Sequence, residues 1–483
     1  MKIMSSSLRT NAALNAVRKI FSIIFPLVTF SYASHILGPE RVGIYAFSQS
    51  IVNYFLLIAS LGISTYAVRE GQRYRENRTN LEKFTSEVFS INIIMTIVSY
   101  ILLIALCIVW RRLDDYRVAI SILSTTIILT TIGADWVNTL FEDYLYITVR
   151  YIIVQSVCLI LLFVFVNFQD NLYQYIIICT LSMAGGNLLN IWYVRKQINI
   201  RFIFNMNFMK HIKPMLILFS NNLSIQIYLI SDITLLGFFL TDDLVGIYSI
   251  SSRIYTTLKE VVNAMILVTV PRFSYYLRNK KEKEYHDTCA ITFNTIITVL
   301  APIMTGLFFE SGIILSLLAG EKYLSGTLSL QILSFAMIFA VGGCFFSYSV
   351  LIPYGQEKYF LTATVIAAIF NVLFNCILIP AFGMNMAAVT TLFSECIVCI
   401  FTYYHSRQYQ KLKFDKSVIF PVVIGIVQIS VICTVLKYFF SNPYLYLGIS
   451  VISCTVIYTI LQIIFKNPVA VECYRLAKDK IKF

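Results

Sequence analysis

The sequence predicts an all-α, polytopic membrane protein of about fourteen transmembrane helices, and three observations carry that prediction. Of the 483 residues, 58% are hydrophobic and only 13% charged, against roughly 25% charged in soluble domains, so too little polar surface remains to coat a globule. The apolar residues run in blocks of about 20 or more, long enough to cross a hydrocarbon core of ~30 Å at ~1.5 Å per residue. Continuous runs, rather than dyad alternation, select helices over a closed barrel. The third observation is the placement of the basic residues on one side of the membrane, set out below.

In chain order the spans are expected near 11–36, 42–68, 86–110, 118–136, 144–167, 173–194, 215–240 and 246–270, then 288–309, 327–352, 359–380, 384–404, 417–440 and 444–465. The first run follows Lys2 and Arg9 as a signal peptide would. It is longer than such a segment and precedes thirteen further runs, so it reads as the first span. Gly38-Pro39, Pro271, Pro353, Pro380 and Asn442-Pro443 are expected in connections, where chain breakers belong. Pro26 lies inside the first span, where it removes a backbone hydrogen bond and is expected to act as a bend during function.

With the N-terminus inside, the outer connections hold Arg41, Arg111, Arg112, Arg117 and Lys322, whereas most of the 38 Lys and Arg fall in inner segments. That asymmetry puts both termini on the cytoplasmic side of a multi-pass protein of the bacterial cytoplasmic membrane. It also removes nucleic acid as the partner for the net charge of +13, because the charge is spread over many loops rather than gathered on one face. The eleven cysteines lie mostly in apolar runs, and Cys396 with Cys399 forms a single CxxC inside a predicted helix, which reads as packing. No GxxxxGK[ST] loop is present, no motif calls for a cofactor or metal, and no outer loop is long enough for a soluble domain.

The chain repeats itself. Val42-Gly-Ile-Tyr45 recurs as Val245-Gly-Ile-Tyr248, an offset of 203 residues that also pairs Arg69 with Arg272. Six helices per copy is an even number, so both copies enter from the same side, as in transporters built from parallel repeats. The expected organisation is an N-terminal lobe at 1–197, an interfacial linker at 198–214, a C-terminal lobe at 215–410, and a last helix pair with a cytoplasmic tail at 411–483.

Ile36-Leu-Gly-Pro-Glu-Arg-Val-Gly-Ile-Tyr-Ala-Phe-Ser48 with Leu61-Gly-Ile-Ser-Thr-Tyr-Ala-Val-Arg-Glu70, and Asp135-Trp136 with Glu142-Asp-Tyr-Leu-Tyr-Ile-Thr-Val-Arg150, resemble the polysaccharide flippases of the multidrug/oligosaccharidyl-lipid/polysaccharide exporter superfamily. The resemblance implies an undecaprenyl-pyrophosphate-linked oligosaccharide as substrate, membrane lipids and other polysaccharide-assembly proteins as partners, and a role in capsule, O-antigen or other surface polysaccharide. It further implies two lobes alternating about a central, often cationic cavity. The second copy keeps the turn Tyr354-Gly-Gln-Glu-Lys-Tyr359 but has no equivalent of Arg150.

An ionised group at mid-bilayer costs on the order of 3 kcal/mol, so each one needs a purpose. Arg18, Lys19, Arg253 and Lys259 are the expected substrate-binding cations, since arginine pairs bidentately with phosphate oxygens and stays charged when partly buried. At 100° per residue Arg253 and Glu260 share a helix face while Lys259 points elsewhere. The competing reading has Arg18 and Lys19 snorkelling to headgroups and Arg253 paired with Glu260. Glu395, Asp232 and Glu260 are the expected sites for coupling to a proton or sodium gradient, against a buried or lysine-paired carboxyl. Arg150, Glu142 and Asp143, beside the family-like stretch, are expected at a gate, against interfacial anchoring.

Two other classes stay in view. A multidrug antiporter or a peptidoglycan-precursor flippase would keep the fold and change the cargo. A membrane polymerase or acyltransferase would need clustered acids or histidines, but His35, His211, His286 and His405 lie far apart along the chain, and the reading is not an enzyme.

Overall fold

The computed structural model describes residues 8–204, 208–410 and 415–481, which hold seventeen α-helices and, among those residues, no β-strand. The chain divides into two compact units, Met1–Gly237 with Thr241–Gly246, and Phe238–Leu240 with Ile247–Phe483. The first carries α1 (Leu8–Ser60), α2 (Ile63–Gly71), α3 (Arg78–Val109), α4 (Arg117–Gly133), α5 (Trp136–Leu140), α6 (Tyr144–Phe165), α7 (Leu172–Thr180), α8 (Gly186–Gln197) and most of α9 (Phe208–Phe239). The second carries nearly all of α10 (Asp242–Arg278), then α11 (Glu282–Ala319), α12 (Thr327–Phe345), α13 (Glu357–Phe382), α14 (Asn385–Ser406), α15 (Lys416–Phe439), α16 (Pro443–Ile464) and α17 (Pro468–Ile481).

Twelve helical stretches among the described residues are long and apolar enough to cross a membrane. One of them, Phe21–Tyr74, runs through a break, and α10, which carries Arg253, Lys259 and Glu260, is not among the twelve. The break is at Gly38, whose φ of 77° and ψ of 173° separate the two arms of α1. An L side chain is disfavoured at that φ, so glycine is required where the chain turns back. Backbone φ/ψ stay helical at Pro26, and Thr29 Oγ1 donates to the carbonyls of Phe25 and Pro26 at 3.0 and 3.1 Å. Helix starts are capped by short polar residues: Asn77 accepts from Asn80 N, and Asn442, followed by Pro443, accepts from Tyr444 N and Leu445 N. Asp415 caps α15, and its bonds from Ser417 hold its carboxyl below the usual carboxylate value.

Two breakers depart from expectation: Pro271 and Pro380 lie inside α10 and α13, not in connections. A proline deletes one hydrogen bond of the ladder, and in these long helices the remaining bonds carry the chain past it. Pro380 is two residues from its helix end, where only the last turn feels the loss.

In the first unit one apolar cluster joins α2, α3, α5 and α9 through Tyr66, Phe84, Trp136, Leu140 and Met215. Another packs α1 on α6 and α7 through Leu37, Val42, Leu162 and Tyr175. In the second, Ala301 of α11 packs on Val418 and Val422 of α15, and Ile429 and Cys433 of α15 pack on Cys454 and Tyr458 of α16.

The repeated Val-Gly-Ile-Tyr has a structural reason. A Cβ on Gly43 would lie 1.7 Å from Asp242 O, and one on Gly246 would lie 1.9 Å from Pro39 O. The two glycines, both within the first compact unit, let two backbones approach to a distance that no side chain permits, as small residues do between membrane helices. Gly43→Ala and Gly246→Ala are each expected to destabilise the protein by about 2 kcal/mol or more, because the obstructing atoms are backbone. Thermal unfolding of the detergent-purified protein measures this. Gly306→Ala is the control, since nothing stands within 4 Å of its Cβ position, and its midpoint should match wild type.

Candidate functional site

In the first unit the site is built at the end of α4. Ala134 takes a left-handed conformation, φ 46°, turning the chain so that Asp135 and Trp136 open the short α5. Arg150 of α6 is 8% exposed and its Nη2 donates to Asp135 Oδ1 at 2.5 Å. The guanidinium also lies 5.3 Å from the centroid of the Tyr146 ring and packs on Gly186, where a Cβ would sit 3.3 Å from Nε. Its Nη1 is buried without a partner. Asn138 donates to both Asp135 (3.1 Å) and Asn190 (2.7 Å), and Asn190 donates to Gly133 O, so a buried polar network fixes the turn.

Asp135, Trp136 and Thr139, with Ser64, Thr65, Val68 and Arg69 of α2, line a pocket of about 490 Å³. Arg69, Ser64 and Thr65 are exposed there, whereas the indole Nε1 of Trp136 is buried and unpartnered. A flat aromatic, a carboxylate, hydroxyls and a guanidinium on one wall are the groups that recognise a polar, hydroxyl-bearing ligand.

The neighbouring acids serve as anchors. Asp143 caps α6 through Tyr146 N (3.3 Å), accepts a hydrogen bond from Tyr193 Oη and another from Gln197 (3.3 Å). The rings of Tyr146 and Tyr193 stack at 3.6 Å. Glu142 meets Arg75 at 2.9 Å, with both side chains well exposed, a pair worth well under about 1 kcal/mol.

In the second unit Lys259 Nζ lies 3.1 Å from Glu395 Oε1, and Tyr255 Oη donates to the same oxygen at 2.8 Å. Lys259 also stands 4.7 Å above the Tyr255 ring. The side chains of Lys259 and Glu395 are 13% and 6% exposed, so each neutralises a charge that the other could not leave bare. The structure thus joins a residue expected to bind substrate to one expected to couple an ion. Arg253 and Glu260 are exposed on α10, and among the described residues no ion pair joins them. Asp232 is buried on α9, within electrostatic reach of Tyr54. Arg18 is half-buried and Lys19 exposed on α1.

Two buried constellations escaped the sequence reading. His211 of α9, fully buried, bridges Tyr66 Oη (2.8 Å, through Nδ1) and Glu87 Oε2 (2.9 Å, through Nε2), tying α9 to α2 and α3. Its partners lie 145 and 124 residues away, a separation no local pattern reveals. Glu310, 3% exposed, accepts from Tyr446 Oη (2.7 Å) and Ser450 Oγ (2.9 Å). It was missed because the ninth span was expected to end at 309, whereas α11 continues to Ala319. Phe308-Phe309-Glu310-Ser311-Gly312 held the signal, an acid amid apolar residues.

The sequence matches the polysaccharide biosynthesis protein family over residues 8–277. The chain belongs to that family. It is 22% identical over 408 residues, 81% of its length and 95% of the relative's, to a protein of Escherichia coli (strain K12) named for O-antigen transport. It is 25% identical over 395 residues, 77% of its length and 92% of the relative's, to the capsular polysaccharide biosynthesis protein CapF of Staphylococcus aureus. Its fold is that of the lipid II flippase MurJ in an inward closed conformation, with a TM-score of 0.74, 15% identity, and 93% and 98% of the two chains covered. The family expected from Ile36–Ser48 and Asp135–Arg150 is therefore the one found.

Lys259→Met should cost about 3 kcal/mol by leaving Glu395 buried and unpaired, read as a lower unfolding midpoint. Adding Glu395→Gln should recover more than half of the loss, as a double-mutant cycle on contacting residues requires. Additive losses would show that the two do not act as a pair.

Proposed function

We propose that this protein is a flippase that moves an undecaprenyl-pyrophosphate-linked oligosaccharide repeat unit from the inner to the outer leaflet of a bacterial cytoplasmic membrane, by alternating access of its two lobes. It lies in that membrane with both termini cytoplasmic and serves the assembly of capsule, O-antigen or another surface polysaccharide. It performs transport, not bond chemistry. Family membership and the two relatives named for O-antigen transport and capsule synthesis support the cargo class.

The observation that carries the reading is Arg253, an exposed guanidinium on α10 that forms no ion pair with Glu260. A cation kept without a carboxylate in such a place is held for an anion that arrives, and a pyrophosphate supplies two acidic groups for it. Arg18 and Lys19 are the further cations for the headgroup. The wall of Asp135, Trp136, Ser64, Thr65 and Arg69 suits the sugars. Lys259 is neutralised by Glu395, which favours a structural pair; protonation of Glu395 would dissolve that pair and is how a proton gradient would reach the cation. Asp232 and Glu260 are the remaining carboxyls for coupling to protons or sodium. Pro26, Arg150, Glu142 and Asp143 belong to the moving joint of the first lobe, with the networks of Arg150 and Asp143 favouring anchoring. A peptidoglycan-precursor flippase shares the pyrophosphate chemistry, and the MurJ-like fold keeps it as the second reading. A multidrug antiporter fits less well, because the exposed cations repel cationic drugs.

Arg253→Gln, at unchanged membrane abundance, is expected to lower the rate of translocation at least about tenfold, the loss of one charge-assisted hydrogen bond. Lipid-linked intermediates extracted from cells should then show a complete repeat unit accumulating on the inner leaflet, with less surface glycan. Normal surface glycan in Arg253→Gln cells would defeat the role of Arg253. Accumulation of exported but unpolymerised units would defeat the flippase and point to a polymerase.

A further inference from the structure

Around the connection from α8 to α9 the chain is basic and free of acids. Between residues 171 and 231 the sequence holds no aspartate or glutamate, but it holds Arg195, Lys196, Arg201, Lys210 and Lys213. All five side chains are exposed, and among the described residues none of them takes part in an ion pair. The acids of α3 beside them are already engaged, Glu82 with Arg78 at 3.1 Å and Glu87 with the buried His211 at 2.9 Å.

Local structure gathers these cations at the start of α3. Ile198 leaves α8 in an extended conformation, φ −148° and ψ 143°. Arg201 N then donates to Ser86 Oγ at 3.2 Å and Ile203 N to Ser90 Oγ at 2.8 Å, one turn apart on α3. The two hydroxyls take the place of the neighbouring strand that an extended segment would otherwise need. Ile198 and Ile200 pack into the apolar cluster of the first unit. Phe202 and Phe204 do the opposite: their rings meet edge to face at 4.8 Å and are 40% and 90% exposed. Gln197 O lies 3.5 Å from Arg78 Nη2, and Lys210 Nζ lies 6.0 Å from the centroid of the Tyr74 ring. Both ends of the connection therefore return to the same end of α3.

Exposed phenylalanines are disfavoured in water, and unpaired cations are disfavoured in hydrocarbon. Side by side they suit the boundary, with rings among acyl chains and cations on phosphate. Arg201 Nε is held on Asn199 Oδ1 at 3.2 Å, which presets a fork whose Nη groups match a phosphodiester. Lys210 and Lys213, three residues apart on α9, share a face.

We propose that Arg201, Phe202, Phe204, Lys210 and Lys213 form a docking surface for an anionic phospholipid of the adjoining leaflet, its phosphodiester on the cations and its acyl chains against the rings. A zwitterionic phosphatidylcholine brings its own ammonium, which these cations repel, so the surface distinguishes headgroups by net charge. It lies within the first unit and involves none of the cargo-binding candidates, so its failure and that of the flippase reading are separate results.

The test uses the full-length protein in phosphatidylcholine nanodiscs with a trace of one of two photoreactive lipids, phosphatidylglycerol or phosphatidylcholine, carrying the same acyl chains. The phosphatidylglycerol probe should label peptides holding Arg201 and Lys210 saturably, and at least about tenfold more than the phosphatidylcholine probe. The triple variant Arg201→Gln, Lys210→Gln, Lys213→Gln changes only exposed side chains. It should bring phosphatidylglycerol labelling down to the phosphatidylcholine level, since each cation near a membrane contributes roughly fivefold. Excess unlabelled phosphatidylglycerol should compete, and excess glycerol 1-phosphate should not. Equal labelling by the two probes in wild type, or undiminished labelling in the triple variant, would overturn the proposal. Full competition by glycerol 1-phosphate would overturn it too, leaving a phosphate site without a lipid. Should the triple variant fail to fold, the probes and competitors on wild type decide alone.

Discussion

A peptide backbone in hydrocarbon has no water to bond to, and every unmade hydrogen bond there costs several kcal/mol. The architecture follows from that constraint. Among the described residues every regular element is a helix, and several departures from helical geometry are met locally: Gly38, Leu61, Gly62 and Ala134 take positive φ, and Asn77, Asp143, Asp415 and Asn442 cap the helices that follow. Serines and threonines within the helices turn their hydroxyls onto carbonyls three or four residues back, as Thr85, Ser90 and Thr96 do in α3. A hydroxyl satisfied within its own helix can face lipid or a neighbour without penalty.

Side-chain charge obeys the same constraint by pairing. Asp135 with Arg150, Lys259 with Glu395, and Glu87 with His211 each remove a charge or strong acceptor from an apolar setting. Removing one partner of such a pair costs more than the pair contributes, which is why these residues fix helices to one another. Arg253 and Glu260, exposed on α10, stand outside this bookkeeping.

The helical class, the break at Gly38-Pro39 and the polar stretch at Asp135–Arg150 were legible in the sequence because each rests on local information: run length, a glycine beside a proline, a cluster of unlike residues. Lys259 and Glu395 were legible as unusual charges but not as partners, for 136 residues separate them and only the folded chain brings them together. Pro271 and Pro380 were misplaced because the breaker rule ignores how much ladder remains on either side of a proline. Glu310 was lost to a helix end set ten residues short of Ala319. Helix ends are where hydropathy is least informative, since the signal falls off where lipid gives way to headgroup rather than where hydrogen bonding stops.

The repeat shows which features the fold needs twice and which the function needs once. At the constant offset of 203 residues, Gly43 and Gly246 coincide, and both are needed where backbones touch. Some charges repeat at that offset, as Arg69 with Arg272 and Arg75 with Arg278, but those of the candidate sites do not. Ser50 and Leu56 stand where the second copy has Arg253 and Lys259, and Ile338 and Pro353 stand where the first has Asp135 and Arg150. Ser50 is buried and accepts from Thr234 at 3.0 Å, an ordinary packing role. Duplicated glycines beside unduplicated site charges mark the backbone crossing as part of the shared scaffold, on which each copy carries its own set of polar residues.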